Sequence, residues 1–288
     1  MTNIRQYLNW TGSYSAINRE ERNLAAILYH ALLVNDNLDR FLALIECPGD
    51  VVESEMGIYL EYAYVRDLWF HIEENDTKRR LILELLKPMN SNELQGMTDL
   101  EFNSHFGAAP KPSKMYIQSP GLWSLSRFDK TIEDDDEFLK TCLFKWAFNA
   151  KPDIVIHTSR DEAVCIEAKL VSPEGQYPQS GGEKGIFRSR GLEYVRQTTL
   201  QKYLMEDLLG INTWFVFLVQ KTSQAADSHQ LLLWEDVFRS LGLSDIPRFM
   251  RETISAVTAS ASGGAELTWS RVGGDDRCWT RRGSSDSG

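Results

Sequence analysis

Two short apolar runs near the middle of the chain carry charged residues at positions where a strand is normally apolar. They are residues 151–157 (KPDIVIH) and residues 164–170 (VCIEAKL). Both runs are rich in Val and Ile, and the polar stretch 158–162 between them is short enough for a hairpin turn. The pattern therefore predicts a β-hairpin with charged positions on its strands.

The register of this hairpin follows from its turn. Pairing about a turn centred on Arg160 places Asp153 opposite Glu167, and cross-strand neighbours on one face lie about 5 Å apart at Cβ. The two-residue period of a strand puts Lys169 on the face of Glu167 and turns the intervening apolar residues toward the core. We therefore predict that two carboxylates and an ammonium group converge.

This group of side chains is suited to a divalent cation. Two ionised carboxylates at this distance repel, so without a cation the like charge raises the pKa of one of them. Carboxylate oxygens are hard ligands for Mg²⁺ or Mn²⁺, and the carbonyl oxygen of Ala168 can add a third. Such a cation lowers the pKa of a bound water and stabilises charge on a phosphoryl oxygen, and Lys169 would orient or help deprotonate that water. The alternative is a solvated ion pair on a half-exposed strand.

The segments Pro152-Asp153 and Glu167-Ala168-Lys169 resemble the motif of the PD-(D/E)xK nucleases, also called restriction endonuclease-like enzymes. The resemblance, which extends from about 141 to 237, implies an α/β fold with a central mixed sheet flanked by helices. It implies Mg²⁺-dependent hydrolysis of phosphodiester bonds, with Asp153 and Glu167 as metal ligands and Lys169 at the attacking water. A nuclease acting on DNA, in restriction or antiviral defence, is the favoured function. The alternatives are a nuclease-fold binding or scaffold subunit without activity of its own, and a phosphoesterase acting on small nucleotides.

Two further candidates come from the helices around this hairpin. Apolar spacing predicts a helix over 192–209, ended by Gly210, in which Gln197 and Gln201 share one face. The resemblance implies that a Gln or Lys on this helix reaches into the site, and Gln197 is the candidate; the alternative is two solvated glutamines. The resemblance also implies a glutamate on a helix before the sheet.

The preferred position for this glutamate is Glu21, at the edge of the apolar face of a predicted amphipathic helix over 19–33. Glu55 and Glu61, in a predicted helix over 53–74, are the alternatives. Further helices are predicted over 38–45 and 77–86. One strand is predicted over 213–219, and another begins at 231 and passes into a helix. The acidic run 133–137 predicts the start of another helix.

The negative net charge of the chain limits where a nucleic acid can bind. The 288-residue chain has a formal net charge of −10, so phosphate binding requires a local basic patch. Basic residues outnumber acidic ones in the segment 176–202. This segment includes most of the glycine-rich stretch 175–191, which predicts a mobile loop over the DNA backbone. Phe187 and Tyr194 would be available to stack on a base; the alternative is a plain connector. The predicted DNA-binding residues are Lys184, Arg188, Arg190 and Arg196.

Composition divides the chain into a helical region 1–112, a nuclease core 113–258 and a Ser/Gly-rich, mobile tail 259–288. The helical region either packs on the core or serves a protein partner, and a homodimer would explain cleavage of both DNA strands. No apolar run reaches the roughly 18 residues that span a bilayer, and the start lacks a signal sequence, which favours a cytoplasmic protein without membrane partners. The four cysteines form no Cys-x-x-Cys pair, which disfavours zinc and disulfides.

Overall fold

The structure is a computed structural model that describes residues 20–108, 116–170, 172–220, 229–262, 267–271 and 277–281, together with Gln6 and Thr11. Its centre is a mixed five-stranded sheet. The strands are, in chain order, β1 (Gly57–Leu60), β2 (Ile154–His157), β3 (Glu162–Ala168), β6 (Asn212–Val219) and β7 (Gln230–Leu233). They lie in the order β1-β2-β3-β6-β7. The pairs β1-β2 and β2-β3 are antiparallel, and the pairs β3-β6 and β6-β7 are parallel.

Two further antiparallel sheets have two strands each. They pair β4 (Gln176–Tyr177) with β5 (Val195–Arg196), and β8 (Leu267–Arg271) with β9 (Arg277–Arg281). The helices are α1 (Glu21–Leu32), α2 (Asn37–Leu44), α3 (Tyr64–His71), α4 (Asn75–Leu86), α5 (Ser91–Gly96), α6 (Asp99–His105), α7 (Leu125–Phe128), α8 (Asp135–Ala147), α9 (Gly181–Ser189), α10 (Gln197–Lys202), α11 (Trp234–Ser240) and α12 (Arg248–Ser262). A 3-10 turn covers Pro120–Leu122, and α10 continues as a π-helical segment over Tyr203–Leu208. Among the helices described, none is both long and apolar enough to cross a membrane.

Helices cover both faces of the central sheet. On one face Ile154, Ile156, Val164 and Ile166 pack with residues of α1, α2, α11 and α12. On the other face Val155, Cys165 and Phe215 pack with residues of α3, α4, α6, α8 and α10. Since both faces are buried, β3 and β6 are nearly continuous apolar runs, and a charged residue on β3 is buried unless it lies at the end of the strand.

The predicted hairpin is confirmed with its register. Ile154 pairs with Ile166 and His157 with Ala163, which is the pairing about Arg160. The predicted strand over 213–219 and the passage from β7 into α11 are also confirmed. The acidic run begins α8 as predicted, and the side chain of Asp134 accepts a hydrogen bond of 2.9 Å from the backbone N–H of Glu137.

Three predictions of local structure are wrong. The predicted helix over 53–74 contains β1, and α3 begins only at Tyr64, because residues 57–60 pair with a strand far along the chain. About half of the predicted glycine-rich loop is not a loop, since residues 181–189 form α9, where the Ser180 side chain accepts from the backbone N–H of Glu183. The helix predicted from 192 begins at Gln197, because 195 and 196 pair with β4.

The sequence predicted region boundaries at 112/113 and at 258/259. The boundary between residues 112 and 113 lies outside the described residues. In the predicted tail, α12 extends to Ser262 and is followed by β8 and β9. The remaining residues of the predicted tail lie outside the described part of the chain.

Candidate active site

The two acidic residues of the hairpin lie at one end of the sheet. Asp153 directly precedes β2, Glu167 lies near the end of β3, and Lys169 follows that strand. Asp153 Oδ2 accepts a hydrogen bond of 2.8 Å from the backbone N–H of Ala168. This bond fixes the Asp153 carboxylate against the strand that carries Glu167.

Lys169 joins two acidic side chains that are far apart in the sequence. Its Nζ lies 2.7 Å from Glu167 Oε1 and 3.5 Å from Glu21 Oε2. Glu21 is the first residue of α1, and its carboxylate also accepts from the backbone N–H of Leu170 at 3.2 Å and from the Ser172 hydroxyl. The preferred glutamate of the sequence analysis is therefore the one that contacts Lys169.

The two alternative glutamates lie elsewhere. Glu55 accepts a hydrogen bond of 2.8 Å from the backbone N–H of Arg160, at the turn of the hairpin. Glu61 lies beside Asp153, since its backbone N–H donates to the Asp153 carbonyl at 2.9 Å. Its negative charge contributes to the raised pKa of Asp153.

Both glutamines of α10 donate to Glu167. Gln197 Nε2 lies 2.7 Å from Oε1, and Gln201 Nε2 donates to Oε2. Gln201 is only 2% exposed, and its Oε1 is buried without a hydrogen-bond partner among the described residues. Sequence reasoning singled out Gln197 alone, although the four-residue spacing to Gln201 indicated a second amide on the same face.

The segment before α10 fixes the position of Gln197. The backbone N–H of Gln197 donates to the carbonyl of Gly175 at 2.8 Å, and the Glu174 carboxylate accepts from the backbone N–H of Thr198 at 3.0 Å. A Cβ at Gly175 would lie 2.7 Å from Gln197 Oε1. A side chain at this position would therefore have to push the Gln197 amide aside.

Burial dominates the electrostatics of the centre. It raises the pKa of Glu167, and the neighbouring Asp153 raises it further. Burial likewise raises the pKa of Asp153, opposed by the Ala168 N–H and by Lys169. Burial lowers the pKa of Lys169, but its interactions with Glu167, Glu21 and Asp153 outweigh burial, so the pKa is raised and the amine stays protonated.

These residues fit a divalent cation. Two desolvated carboxylates with raised pKa values are stabilised in their ionised form by a nearby positive charge. Within the described ranges, no three Asp, Glu, His or Cys side chains are grouped closely enough to enclose a metal ion. Two carboxylates alone, Asp153 and Glu167, would leave several positions of a Mg²⁺ ion to water and substrate. The Ala168 carbonyl as a further ligand stays a prediction.

The predicted DNA-binding residues are distributed over α9 and its surroundings. Arg190 is bound internally, since it donates to Asp129 Oδ1 and Asp135 Oδ1 at 2.7 Å each and lies 4.1 Å from the centre of the Phe138 ring. Its side chain is 14% exposed, so it is not placed to bind a phosphate. Arg188 and Arg196 are exposed, and Lys184 is half-buried.

One member of the predicted aromatic pair is not available to stack on a base. Phe187 is fully buried against Phe138 and Trp146, which excludes it from stacking on a base. Tyr194 is half-buried and packs against the same core. The side of α9 that packs on the protein therefore has a structural role.

Comparisons with protein-family models, with curated proteins and with solved structures found no match for this chain. The function of this chain is therefore inferred from the geometry of the site and from the residues of its motif.

Proposed function

We propose that this chain is a Mg²⁺- or Mn²⁺-dependent nuclease that hydrolyses phosphodiester bonds in DNA, with a role in restriction or antiviral defence. The observation that carries the proposal is the convergence of Asp153, Glu167 and Lys169 at one end of the sheet. This is the arrangement that the PD-(D/E)xK motif implies. Glu21 and Gln197, both expected beside it from the resemblance, lie within hydrogen-bond or ion-pair distance of the same group.

The same proposal includes the finer assignment of the fold. A mixed sheet, in which an antiparallel β1-β2-β3 unit is extended by the parallel strands β6 and β7 and flanked by helices, supports a restriction endonuclease-like core. The position of α10 between β3 and β6, with its amides on Glu167, supports it further.

Each residue has a defined task in this reaction. A divalent cation, when bound, would polarise a phosphoryl oxygen and lower the pKa of a water. Asp153 and Glu167 would hold it, and the two amides of α10 keep the Glu167 carboxylate in one orientation. Lys169 is protonated, so we assign it to orienting the nucleophilic water and to stabilising negative charge that develops on the phosphate.

A cleavage assay tests the proposal. Purified protein is incubated with circular, linear and single-stranded DNA and with RNA, in Mg²⁺, in Mn²⁺ and in EDTA. We expect metal-dependent cleavage of DNA by the wild type and none by Lys169→Ala. Lys202→Ala is the matched control. Lys202 is an exposed lysine at the end of α10, and its ion pair with Glu206 lies on the surface.

The outcome separates the alternatives. If the wild type and Lys169→Ala leave every nucleic acid intact, the isolated chain is not a nuclease, and a scaffold subunit becomes the better description. Cleavage of RNA alone, or of small nucleotides alone, would keep the reaction class and replace the substrate.

A further inference from the structure

A second charged cluster lies at the rim of the site. The Glu61 carboxylate is placed between two cations, with Arg22 Nε 3.3 Å from Oε1 and Lys151 Nζ 3.7 Å from Oε2. Arg22 follows Glu21 in the chain, and Lys151 lies two residues before Asp153. The three side chains are exposed by 80% (Arg22), 39% (Lys151) and 30% (Glu61), so they can be reached from solvent.

The backbone fixes Glu61 at this place. Glu61 has a φ of 53°, in the left-handed region that a residue with a Cβ rarely adopts. Its N–H donates to the carbonyl of Asp153, and the next N–H, of Tyr62, donates to the carbonyl of Pro152 at 3.0 Å. These two hydrogen bonds hold the left-handed backbone in place beside Asp153 and so fix the position from which the Glu61 side chain starts.

A carboxylate between an arginine and a lysine resembles a bound phosphate. Both anions present oxygens that a guanidinium and an ammonium bind through charge-assisted hydrogen bonds. Exposed ion pairs stabilise a fold very little, so an incoming anion can replace Glu61 at low cost. The centre itself is acidic, with Asp153, Glu167 and Glu21, so a phosphate approaching it needs local cations.

We propose that Arg22 and Lys151 form a subsite for a backbone phosphate of DNA at the entrance of the site, and that Glu61 occupies this subsite in the free protein until the phosphate displaces it. The inference rests on the proposed function, since it places the phosphate beside the bond that would be cut. It also assigns the local basic patch to Arg22 and Lys151, away from the internally bound Arg190.

Binding measured without cleavage tests the subsite. A fluorescently labelled 20-base-pair DNA duplex is titrated with protein in EDTA at several salt concentrations. We expect Glu61→Gln to bind about fivefold more tightly than the wild type, the factor that one unit charge at about 4 Å gives in water. We expect Arg22→Gln and Lys151→Gln each to bind more weakly and to lower the slope of log Kd against log salt by about 0.9.

Glu252→Gln is the control, because Glu252 is an exposed carboxylate that pairs with Arg248 at 2.8 Å on α12, and its Kd should equal that of the wild type. Thermal unfolding of every variant checks that it folds. Unchanged or weaker DNA binding by Glu61→Gln overturns the displacement of Glu61 by a phosphate. An unchanged salt slope in both Arg22→Gln and Lys151→Gln overturns the subsite. Because the assay contains no metal, these results are independent of whether the wild type cleaves DNA in Mg²⁺.

Discussion

Replacing Asp153 by Asn tests whether the carboxylate pair is destabilising without a cation. The substitution is nearly isosteric, and the Asn carbonyl can still accept from the backbone N–H of Ala168. Burial and neighbouring charges raise the pKa of Asp153 from 3.8 to about 6, and each pKa unit corresponds to about 1.4 kcal/mol. Ionising Asp153 in the folded protein therefore costs up to about 3 kcal/mol.

The sign of the pH dependence follows from the raised pKa. The folded protein holds the proton more tightly than the unfolded chain, so this contribution to stability is fully present below about pH 4 and is lost as the pH rises through about 6. Asn carries no such cost at any pH. We expect Asp153→Asn to raise the free energy of unfolding in EDTA by about 2 to 3 kcal/mol at pH 8, and by clearly less at pH 5.

Urea unfolding at both pH values measures this difference, with Asp161→Asn, an exposed position in the same hairpin, as the control that should change little. A variant that is neutral or less stable than the wild type at pH 8 would refute the reasoning, as would a gain that is equal at both pH values.

The same experiment with Mg²⁺ tests the cation. Saturating metal should stabilise the wild type at pH 8 and have little effect on Asp153→Asn.

Four further variants examine other contacts of the site and of α9. Lys169→Met leaves Glu167 buried without its cation, so we expect the free energy of unfolding to fall by about 3 kcal/mol at pH 8. The loss should be smaller at pH 5, because the raised pKa of Glu167 lets it take a proton. Equal losses at both pH values in urea unfolding would contradict this. Gln201→Leu removes a donor to Glu167 and should lower the free energy of unfolding by about 1 to 3 kcal/mol, more than Gln197→Leu at the less buried position. Arg190→Gln should lower it by about 1 to 3 kcal/mol, because hydrogen bonds to Asp129 and Asp135 are lost, without changing DNA affinity. Weaker DNA binding by the folded variant would show that Arg190 contacts the phosphate.

Local sequence patterns were sufficient for the hairpin. The turn and the alternation of its strands set the register of Asp153 and Glu167, because all the information lies within a short segment. The same holds for α1, which an amphipathic stripe predicts and whose first residue is Glu21.

Long-range pairing explains what the sequence did not predict. The four residues of β1 do not indicate that β2 is their partner. The helices α3 to α8 lie between the two strands in the chain. In α9 the three glycines at 181, 182 and 185 disfavour a helix, but Phe187 packs into the core and the Ser180 cap satisfies the first turn. Tertiary burial therefore outweighs local propensity, although the Ser-x-x-Glu pattern at 180–183 was a readable helix start.

The hydrogen bonds from Glu61 and Tyr62 to residues 153 and 152 close a loop whose described part contains the helices α3 to α8. Thermodynamically such a long connection costs little, since each doubling of a flexible loop adds only about 0.6 kcal/mol to its closure. Kinetically it is slow, because a contact between distant residues forms only after the intervening chain has been ordered. We expect the β2-β3 hairpin to form early and β1 to dock late, so that Ile58→Val should speed unfolding and leave the folding rate nearly unchanged.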